Sequence, residues 1–217
     1  MESFLKVDIR SFSYANKENI ELQNINFEVN SGEIFSIVGR SGIGKSTIGK
    51  IIMGILEPDD GNILFCGVLL SKRKIPDIQM IFQDPYSALN ESMTVRQILS
   101  EPLIVNGYKN IEKTVDEMLE YLSLEDFKNK YPCDLSGGQR QRVIVGAAMI
   151  LKPKLVICDE PVASLDLTIQ EQIVNLIKFF NKQYNTAFIF ISHDKYLVKN
   201  ISDRIFKMEE KRNEKDK

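Results

Sequence analysis

The chain has 217 residues, the length of one large domain or of one domain with an inserted subdomain. It is 43% hydrophobic and 27% charged, which excludes wholly disordered, collagen-like and disulfide-dense chains. The 28 basic and 30 acidic residues leave a net charge of −2, which argues against a dedicated nucleic-acid-binding protein. With three scattered cysteines, one histidine and no apolar run of membrane-spanning length, we expect a reduced, cytoplasmic chain without a zinc site.

The first elements predicted along the chain are mostly strands. Residues 25–29 alternate apolar and polar side chains, as in a strand that is buried on one face. Residues 34–38 are mostly apolar, as in a strand that is buried on both faces. The predicted elements here are strands 4–9, 25–29, 34–38 and 62–65, a helix at 45–56 and a turn at 58–61.

The rest of the chain alternates predicted helices with two more apolar strands. Thr94 and Ser136 are candidate amino-terminal caps, because their hydroxyls can accept from free backbone N–H groups. The predicted elements are helices 94–106, 112–123, 138–151 and 168–183, and strands 154–158 and 187–191. Apolar strands alternating with helices predict an α/β fold with a mostly parallel sheet, into which a helical stretch at 85–135 is inserted.

A glycine-rich segment joins predicted strand 34–38 to the helix at 45. It reads Gly39-Arg40-Ser41-Gly42-Ile43-Gly44-Lys45-Ser46 and fits the pattern GxxxxGK[ST]. Glycines let successive N–H groups converge on a phosphate, and the helix terminus adds a partial positive charge. Lys45 can reach the β- and γ-phosphates and Ser46 can bind Mg²⁺. The alternative, a chance glycine-rich turn, is disfavoured by the strand and helix on either side.

Two acidic residues follow predicted strand 154–158. Ligands of open α/β sheets bind outside the carboxyl ends of the strands, where the glycine-rich loop also lies. Asp159 is therefore a candidate to hold Mg²⁺, directly or through water, and Glu160 a candidate to activate or position an attacking water. The alternative is a surface turn that happens to carry two acids before Pro161.

Further motifs resemble the ABC-transporter ATPases over nearly the whole chain and in the order of that family. The signature is Leu135-Ser136-Gly137-Gly138-Gln139, continuing as Arg140-Gln141-Arg142. Gln83 matches the Q-loop, Ser164-Leu165-Asp166 the D-loop and His193 the switch histidine. Tyr14 stands where the family places an aromatic ring under adenine.

The resemblance implies a P-loop NTPase (RecA-like) core, with an amino-terminal antiparallel β subdomain and an inserted α-helical subdomain. The implied bounds are a single ABC ATPase domain over 1–217, with its core at 1–84 and 136–217 and the insertion at 85–135. It also implies ATP and Mg²⁺ as cofactors. Implied catalytic residues are Lys45, Gln83, Glu160 and His193; implied metal ligands are Ser46, Gln83 and Asp159. Implied nucleotide-binding residues are Tyr14, Gly39, Arg40, Ser41, Gly42, Ile43, Gly44, Lys45, Ser46, Thr47, Gln83, Ser136, Gly137, Gly138, Gln139, Asp159 and His193.

Each of the later motifs also has an ordinary structural interpretation. On this interpretation, Gln83 is a loop residue whose amide makes turn contacts, and Tyr14 is a half-buried core aromatic. His193 is a strand-end residue whose polar groups are satisfied. The glycines after Ser136 fit a plain helix start. The N–H groups at a helix start can, however, also bind an anion. The chain would then have two phosphate-binding segments, the glycine-rich loop and the signature, which suggests a composite site. In the family, two such chains pack head to tail, and the signature of one covers the ATP of the other.

A narrower resemblance is to the oligopeptide/dipeptide/nickel importer branch. It rests on the sequence around Gln83 at residues 82–90, 93–95 and 101–103, and on Asp159-Glu160-Pro161-Val162 through Ile169-Gln170. The implied partners are integral membrane permease subunits, a second ATPase subunit and, indirectly, an extracytoplasmic solute-binding protein, with no nucleic acid. The implied location is the cytoplasmic face of the membrane.

The chain departs from this branch in three places. It stops 24 residues after His193, which we take to fit metal-chelate importers or a shortened peptide subunit. Charged residues replace the usual glycine-containing strand after Ile205-Phe206, so we expect that strand to be missing. Arg40 stands where the branch often has Glu, which alters local charge with little expected effect on phosphate binding.

Four functions compete. The first is an ATPase that powers import of a small solute such as a peptide, nickel or a metal chelate. The second is a soluble ABC ATPase acting on ribosomes or DNA, which commonly needs two fused ATPase halves or a coiled coil that this chain lacks. A small-molecule kinase would leave the signature, Gln83 and His193 without roles. A pure binding module would leave Glu160 without one.

Overall fold

The computed structural model describes residues 4–14, 17–70, 77–83, 88–163 and 165–208. Its strands are β1 (Leu5–Tyr14), β2 (Lys17–Val29), β3 (Ile34–Val38), β4 (Asp60–Phe65), β5 (Val68–Leu69), β6 (Ile78–Ile81), β7 (Leu155–Asp159), β8 (Ala187–Ser192) and β9 (Arg204–Lys207). Its α-helices are α1 (Lys45–Ile52), α2 (Val95–Val105), α3 (Ile111–Leu122), α4 (Gly137–Met149), α5 (Leu167–Tyr184) and α6 (Lys195–Ile201), and short 3-10 helices occupy Glu125–Phe127 and Pro132–Asp134.

A five-stranded sheet in the order β6-β7-β8-β3-β9 forms the centre of the fold, and each neighbouring pair is parallel. Every residue of β3, β7 and β8 is buried, which explains their nearly continuous apolar sequences. Because the strands are parallel, their carboxyl ends meet at one edge. The α/β class predicted from the sequence is therefore confirmed.

A second sheet, in the order β2-β1-β4-β5, is antiparallel. Side chains of β1, β2 and β4 share a core with α1 and one face of the parallel sheet, including Ile48, Ile157 and Ile189. Helices α2 to α5 share a second core with the opposite face. Helix α1 is therefore packed between the two sheets, which fixes the position of the loop that leads into it.

Helices α2 and α3 lie between β6 and α4, within the segment 85–135 that we predicted as an insertion. Thr94 caps α2 with a reciprocal pair of bonds: its hydroxyl accepts from the Gln97 N–H, and the Gln97 side chain accepts from the Thr94 N–H at 2.8 Å. Arg96 pairs with Glu112 and Asp116 and so joins α2 to α3. The domain bounds themselves stay a prediction.

The helix predicted at 45–56 was wrong at its end, because α1 stops at Ile52. Gly54 adopts a left-handed backbone (φ 75°), which turns the chain away before Pro58. The strand predicted at 62–65 begins two residues earlier, at Asp60. The expected loss of a strand after Ile205-Phe206 concerns residues 209–217, which lie outside the described residues. Among the described residues, none of the helices has the length and apolar character to span a bilayer.

Candidate active site

Three strands carry the candidate residues to the same edge of the parallel sheet. The glycine-rich loop follows β3, Asp159 ends β7, and His193 follows β8. Strand β8 lies between the other two, with Val38 paired to Ser192 and Asp159 paired to Ile191. This strand order brings residues that are more than a hundred positions apart in sequence into one site.

The loop 39–46 is held closed by its own lysine. The Lys45 ammonium donates to the carbonyls of Gly39 and Arg40, at 3.0 Å each, and the residue is only 7% exposed. Gly42 and Gly44 adopt positive φ angles of 79° and 105°, which side-chain-bearing residues rarely adopt. The loop therefore has the curvature and the buried cation that a phosphate group requires.

Ser46 and Asp159 are in direct contact across the sheet edge. The Ser46 hydroxyl donates to Asp159 Oδ1 at 2.9 Å, joining the start of α1 to the end of β7. Burial raises the pKa of the Asp159 carboxyl above its usual value, although the bond from Ser46 opposes the shift. A hydroxyl and a buried carboxylate facing each other are oxygen ligands of the type that Mg²⁺ prefers.

Glu160 and His193 form a second pair beside the first. Glu160 Oε1 lies 2.7 Å from His193 Nδ1 and also accepts from the His193 backbone N–H at 3.2 Å. Glu160 has an unusual left-handed backbone (φ 49°), and its N–H donates to the Ile191 carbonyl of β8. Its side chain is 10% exposed against 64% for that of His193, so the carboxylate is enclosed while the imidazole faces outward.

Tyr14 reaches the same region from the antiparallel sheet. Its hydroxyl lies 3.4 Å from the Thr47 hydroxyl in the first turn of α1, and its ring packs edge-on against Phe12. Tyr14 is half-buried, as its ordinary interpretation requires, but it lies over the helix that follows the glycine-rich loop. An aromatic ring at this place is available for a planar base.

A cavity of about 570 Å³ opens beside the loop, between β9 and α6. Its lining includes Gly39 and His193 together with the basic side chains Arg40, Lys195, Lys199 and Lys207. These cations give the region around the loop a positive field, which favours the approach of a polyanion such as a triphosphate. Of the loop residues named in the sequence analysis, Arg40, Ser41 and Gly42 are exposed, Ile43 is half-buried and Gly44 is buried.

The structure does not bring every candidate into this group. Gln83 is exposed, two residues beyond β6, and among the described residues no hydrogen bond joins it to Ser46 or Asp159. Strand β6 is the neighbour of β7, so Gln83 is nevertheless at the same edge of the sheet. Residues 84–87, which carry part of the branch resemblance, and Ser164 of the D-loop lie outside the described residues.

The signature residues lie at the exposed start of α4. Ser136 caps the helix reciprocally with Gln139: the Ser136 hydroxyl accepts from the Gln139 N–H at 3.3 Å, and Gln139 Oε1 accepts from the Ser136 N–H at 2.9 Å. Ser136 is exposed, Gly137 and Gln139 are half-buried and Gly138 is buried. Within the described ranges, no hydrogen bond connects this segment to the loop 39–46 of the same chain.

Sequence reasoning missed two polar contacts around these motifs. The buried Arg140, next to the signature, pairs with Glu91 at 2.7 Å in the loop before α2. Gln170 of α5 donates two bonds back to the segment that follows Glu160. The only sequence signal for Gln170 was its place in a segment that resembles the importer branch. A resemblance of this kind does not indicate which residues Gln170 contacts.

Comparison with known proteins identifies the group to which this architecture belongs. A family model described as "ABC transporter" matches residues 22–163. The chain belongs to the ABC transporter family, as an ATP-binding domain. The predicted resemblance is thereby confirmed, and ATP is its nucleotide.

Curated members of the family are similar over most of this chain. The oligopeptide transport ATP-binding protein OppF of Haemophilus influenzae is 39% identical over 95% of this chain and 66% of its own length. AmiF of Streptococcus pneumoniae, named in the same way, is 40% identical over 90% of this chain and 68% of its own length. AppF of Bacillus subtilis is 41% identical over 85% and 60%. The chain thus spans about 60–68% of the length of these relatives.

Solved structures share the fold as well. The cbiO1 protein of Clostridium perfringens, described as part of the ABC transporter complex cbiONQ, superposes with a TM-score of 0.86 at 30% identity, over 96% of this chain and 86% of that one. A nucleotide-free ATP-binding cassette from an ABC transporter gives 0.80 at 25% identity, over 95% and 88%.

Proposed function

We propose that this chain is an ATP-binding and ATP-hydrolysing subunit of an ABC transporter. The observation that carries the proposal is the contact between Ser46 and Asp159, which joins a phosphate-type loop to a buried carboxylate beside the Glu160–His193 pair. These four side chains meet at one sheet edge, and each type has a recognised task in phosphoryl transfer. Catalysis would rest on positioning and charge neutralisation rather than on covalent chemistry.

Ser46 and Asp159 are the residues that would hold Mg²⁺. Both supply oxygen atoms, and a divalent cation would relieve the unfavourable burial of the Asp159 charge. When bound, the ion neutralises charge on the β- and γ-phosphates. Gln83, at the same edge, is proposed as a further contact for the ion or for water. Lys45 would exchange its two loop carbonyls for phosphate oxygens.

Glu160 is the proposed base or orienting group for the attacking water. Its carboxylate is enclosed, and the bonds from the His193 N–H and imidazole fix its direction. The His193 side chain is 64% exposed although it contacts Glu160, so it is proposed to face the γ-phosphate while holding Glu160. A water placed between Glu160 and the phosphate would give up its proton to the carboxylate as it attacks.

The site is proposed to be completed by a second ATPase subunit. The exposed Ser136 and the N–H groups of Gly137 and Gly138 at the start of α4 form an anion-binding terminus, and no hydrogen bond from the described part of the chain occupies these two N–H groups. In a head-to-tail pair, this terminus and Gln139 would close over the ATP held by the other subunit. The second subunit is either a copy of this chain or a related ATPase.

The proposed transport role follows from the names of the relatives. OppF, AmiF and AppF are named as oligopeptide transport ATP-binding proteins. We propose import of oligopeptides, with integral membrane permease subunits as direct partners, a solute-binding protein acting indirectly, and a location at the cytoplasmic face of the membrane. Nickel or a metal chelate, which the sequence also suggested, stays a prediction without support from these names.

Light scattering on purified Glu160→Gln tests the mechanism. With ATP and Mg²⁺ the mass should double when the second subunit is a copy of this chain, because the variant binds nucleotide but does not hydrolyse it. A monomer that still binds ATP would point to a related ATPase as the second subunit. Adding Ser136→Arg should leave nucleotide binding unchanged but keep the mass at one subunit, since the arginine fills the anion site. Wild-type turnover in Glu160→Gln would contradict the role of Glu160. Steady-state turnover unaffected by Ser136→Arg alone would contradict the head-to-tail site.

A further inference from the structure

The segment that leaves Glu160 is a short, irregular connection to α5. It runs from Glu160, with its left-handed backbone, to Asp166, which caps α5 by accepting from the Ile169 N–H at 3.0 Å. Inside it, the Ala163 N–H donates to the Glu160 carbonyl at 3.3 Å and the Leu165 N–H to the Val162 carbonyl at 3.2 Å. Both distances lie at or just beyond the upper end of the usual range for such bonds.

The side chain of Gln170 holds this segment through two hydrogen bonds. Gln170 lies in the first turn of α5, and its amide nitrogen donates to the carbonyls of Val162 at 3.0 Å and of Leu165 at 3.1 Å. The two N–H groups of a primary amide point in different directions, so a single glutamine satisfies two carbonyls at once. These two hydrogen bonds therefore connect the backbone at Val162 and Leu165 to helix α5.

These hydrogen bonds bear on the position of the Glu160 carboxylate at the start of the segment. Glu160 is held from the side of β8, through its own N–H and through His193. On the side facing α5, the backbone beyond Glu160 is held by the turns, by the packing of Val162 and Leu165 against the core, and by the two hydrogen bonds from Gln170. A catalytic group must be held within a fraction of an ångström of its working position, and such precision comes from the groups that hold its backbone.

We propose that Gln170 is a positioning residue for Glu160, acting through the backbone carbonyls of Val162 and Leu165 on hydrolysis and not on nucleotide binding. The proposal rests on the proposed ATPase function. Gln170 lies outside the Lys45, Ser46 and Asp159 group, so its loss leaves the phosphate and metal contacts in place. Its effect falls on the placement of Glu160 relative to the attacking water.

Two variants of Gln170 and one control test this. Gln170→Leu removes both donors and leaves a shorter apolar side chain, whereas Gln170→Glu keeps the shape and sets a carboxylate against two carbonyls. Glu171→Gln, an exposed change on the same helix, is the control. We expect kcat to fall about tenfold in Gln170→Leu and further in Gln170→Glu, with KM and the ATP dissociation constant within about twofold of the unmodified chain. The control should match the unmodified chain.

Amide hydrogen exchange measures the stability of the segment independently of ATP hydrolysis. The amide protons of Ala163 and Leu165 should exchange at least about fivefold faster in Gln170→Leu, while those of β7 stay unchanged. Unchanged exchange and unchanged kcat would overturn the role of Gln170 and leave the ATPase function intact. A parallel rise in KM and loss of ATP binding would show a general structural role and also overturn it. If the variant exchanges faster but the unmodified chain does not hydrolyse ATP, the ATPase function is overturned, and with it the positioning role of Gln170 in hydrolysis.

Discussion

Two neighbouring glycines open helix α4, and their surroundings predict different effects of the same substitution. A Cβ atom on Gly138 would lie 2.9 Å from Cγ2 and 3.2 Å from Cδ1 of Ile169 in α5. A Cβ atom on Gly137 would meet only Leu165, at the ordinary contact distance of 3.7 Å. Gly138→Ala should therefore destabilise the fold, whereas Gly137→Ala should leave its stability nearly unchanged.

The magnitude follows from the closest contact. Carbon atoms pack at about 3.5–4.0 Å, so Ile169 would have to retreat by roughly 0.6–1 Å. Its Cγ2 is fixed to a β-branched carbon with one preferred rotamer in a helix, which limits that retreat. Overpacking costs about 1–3 kcal/mol, and alanine recovers up to about 1 kcal/mol in helix propensity over glycine. Mid-range values of about 2 and about 1 kcal/mol leave a net loss of about 1 kcal/mol, which lowers the melting temperature by about 2–4 °C in a chain of this length.

Thermal unfolding followed by circular dichroism measures both variants. Combining Gly138→Ala with Ile169→Ala should recover about 1 kcal/mol relative to the sum of the single effects, because the second change removes the atoms in conflict. Additive losses, or equal melting temperatures for Gly137→Ala and Gly138→Ala, would refute the packing argument. Gly137→Ala should instead weaken the ATP-dependent dimer, since its methyl group lies at the proposed anion site.

Three further changes have separate expected outcomes. Lys45→Ala should weaken ATP binding by about 2–3 kcal/mol, roughly a hundredfold, because a charged donor to phosphate is lost; calorimetric titration measures this. Thr94→Ala should lower the stability by about 1 kcal/mol in thermal unfolding through loss of the α2 cap, with ATP affinity unchanged. Burial raises the pKa of Tyr184 to about 12 from 10.0, so the folded chain keeps a proton that the unfolded chain loses. Stability should therefore fall as the pH rises from 10 to 12, and denaturant titrations should show a shallower fall in Tyr184→Phe.

Much of the candidate site was visible in the sequence because its motifs are local. The glycine-rich loop needs glycines, a lysine and a hydroxyl at fixed spacing, and Asp159 and Glu160 follow a strand whose apolar run is unmistakable. The end of α1 was predicted too far along the chain. Apolar spacing continues through Leu56, whereas the left-handed Gly54 ends the helix. Contacts such as Gln170 with Val162 and Arg140 with Glu91 depend on side-chain direction and distance, which spacing does not encode.

The sequence by itself determined the family and the α/β class, and it predicted which residues bind phosphate, because these depend on backbone conformations and residue types within short segments. Only the tertiary structure decided which of those residues meet. The strand order brings Ser46 to Asp159 and Glu160 to His193, since β8 lies between β3 and β7. The carboxyl ends of the parallel strands meet at one edge of the sheet, whereas α4 is one of the helices that cover a face of the sheet. The start of α4 therefore lies apart from the other site residues, with Ser136 exposed.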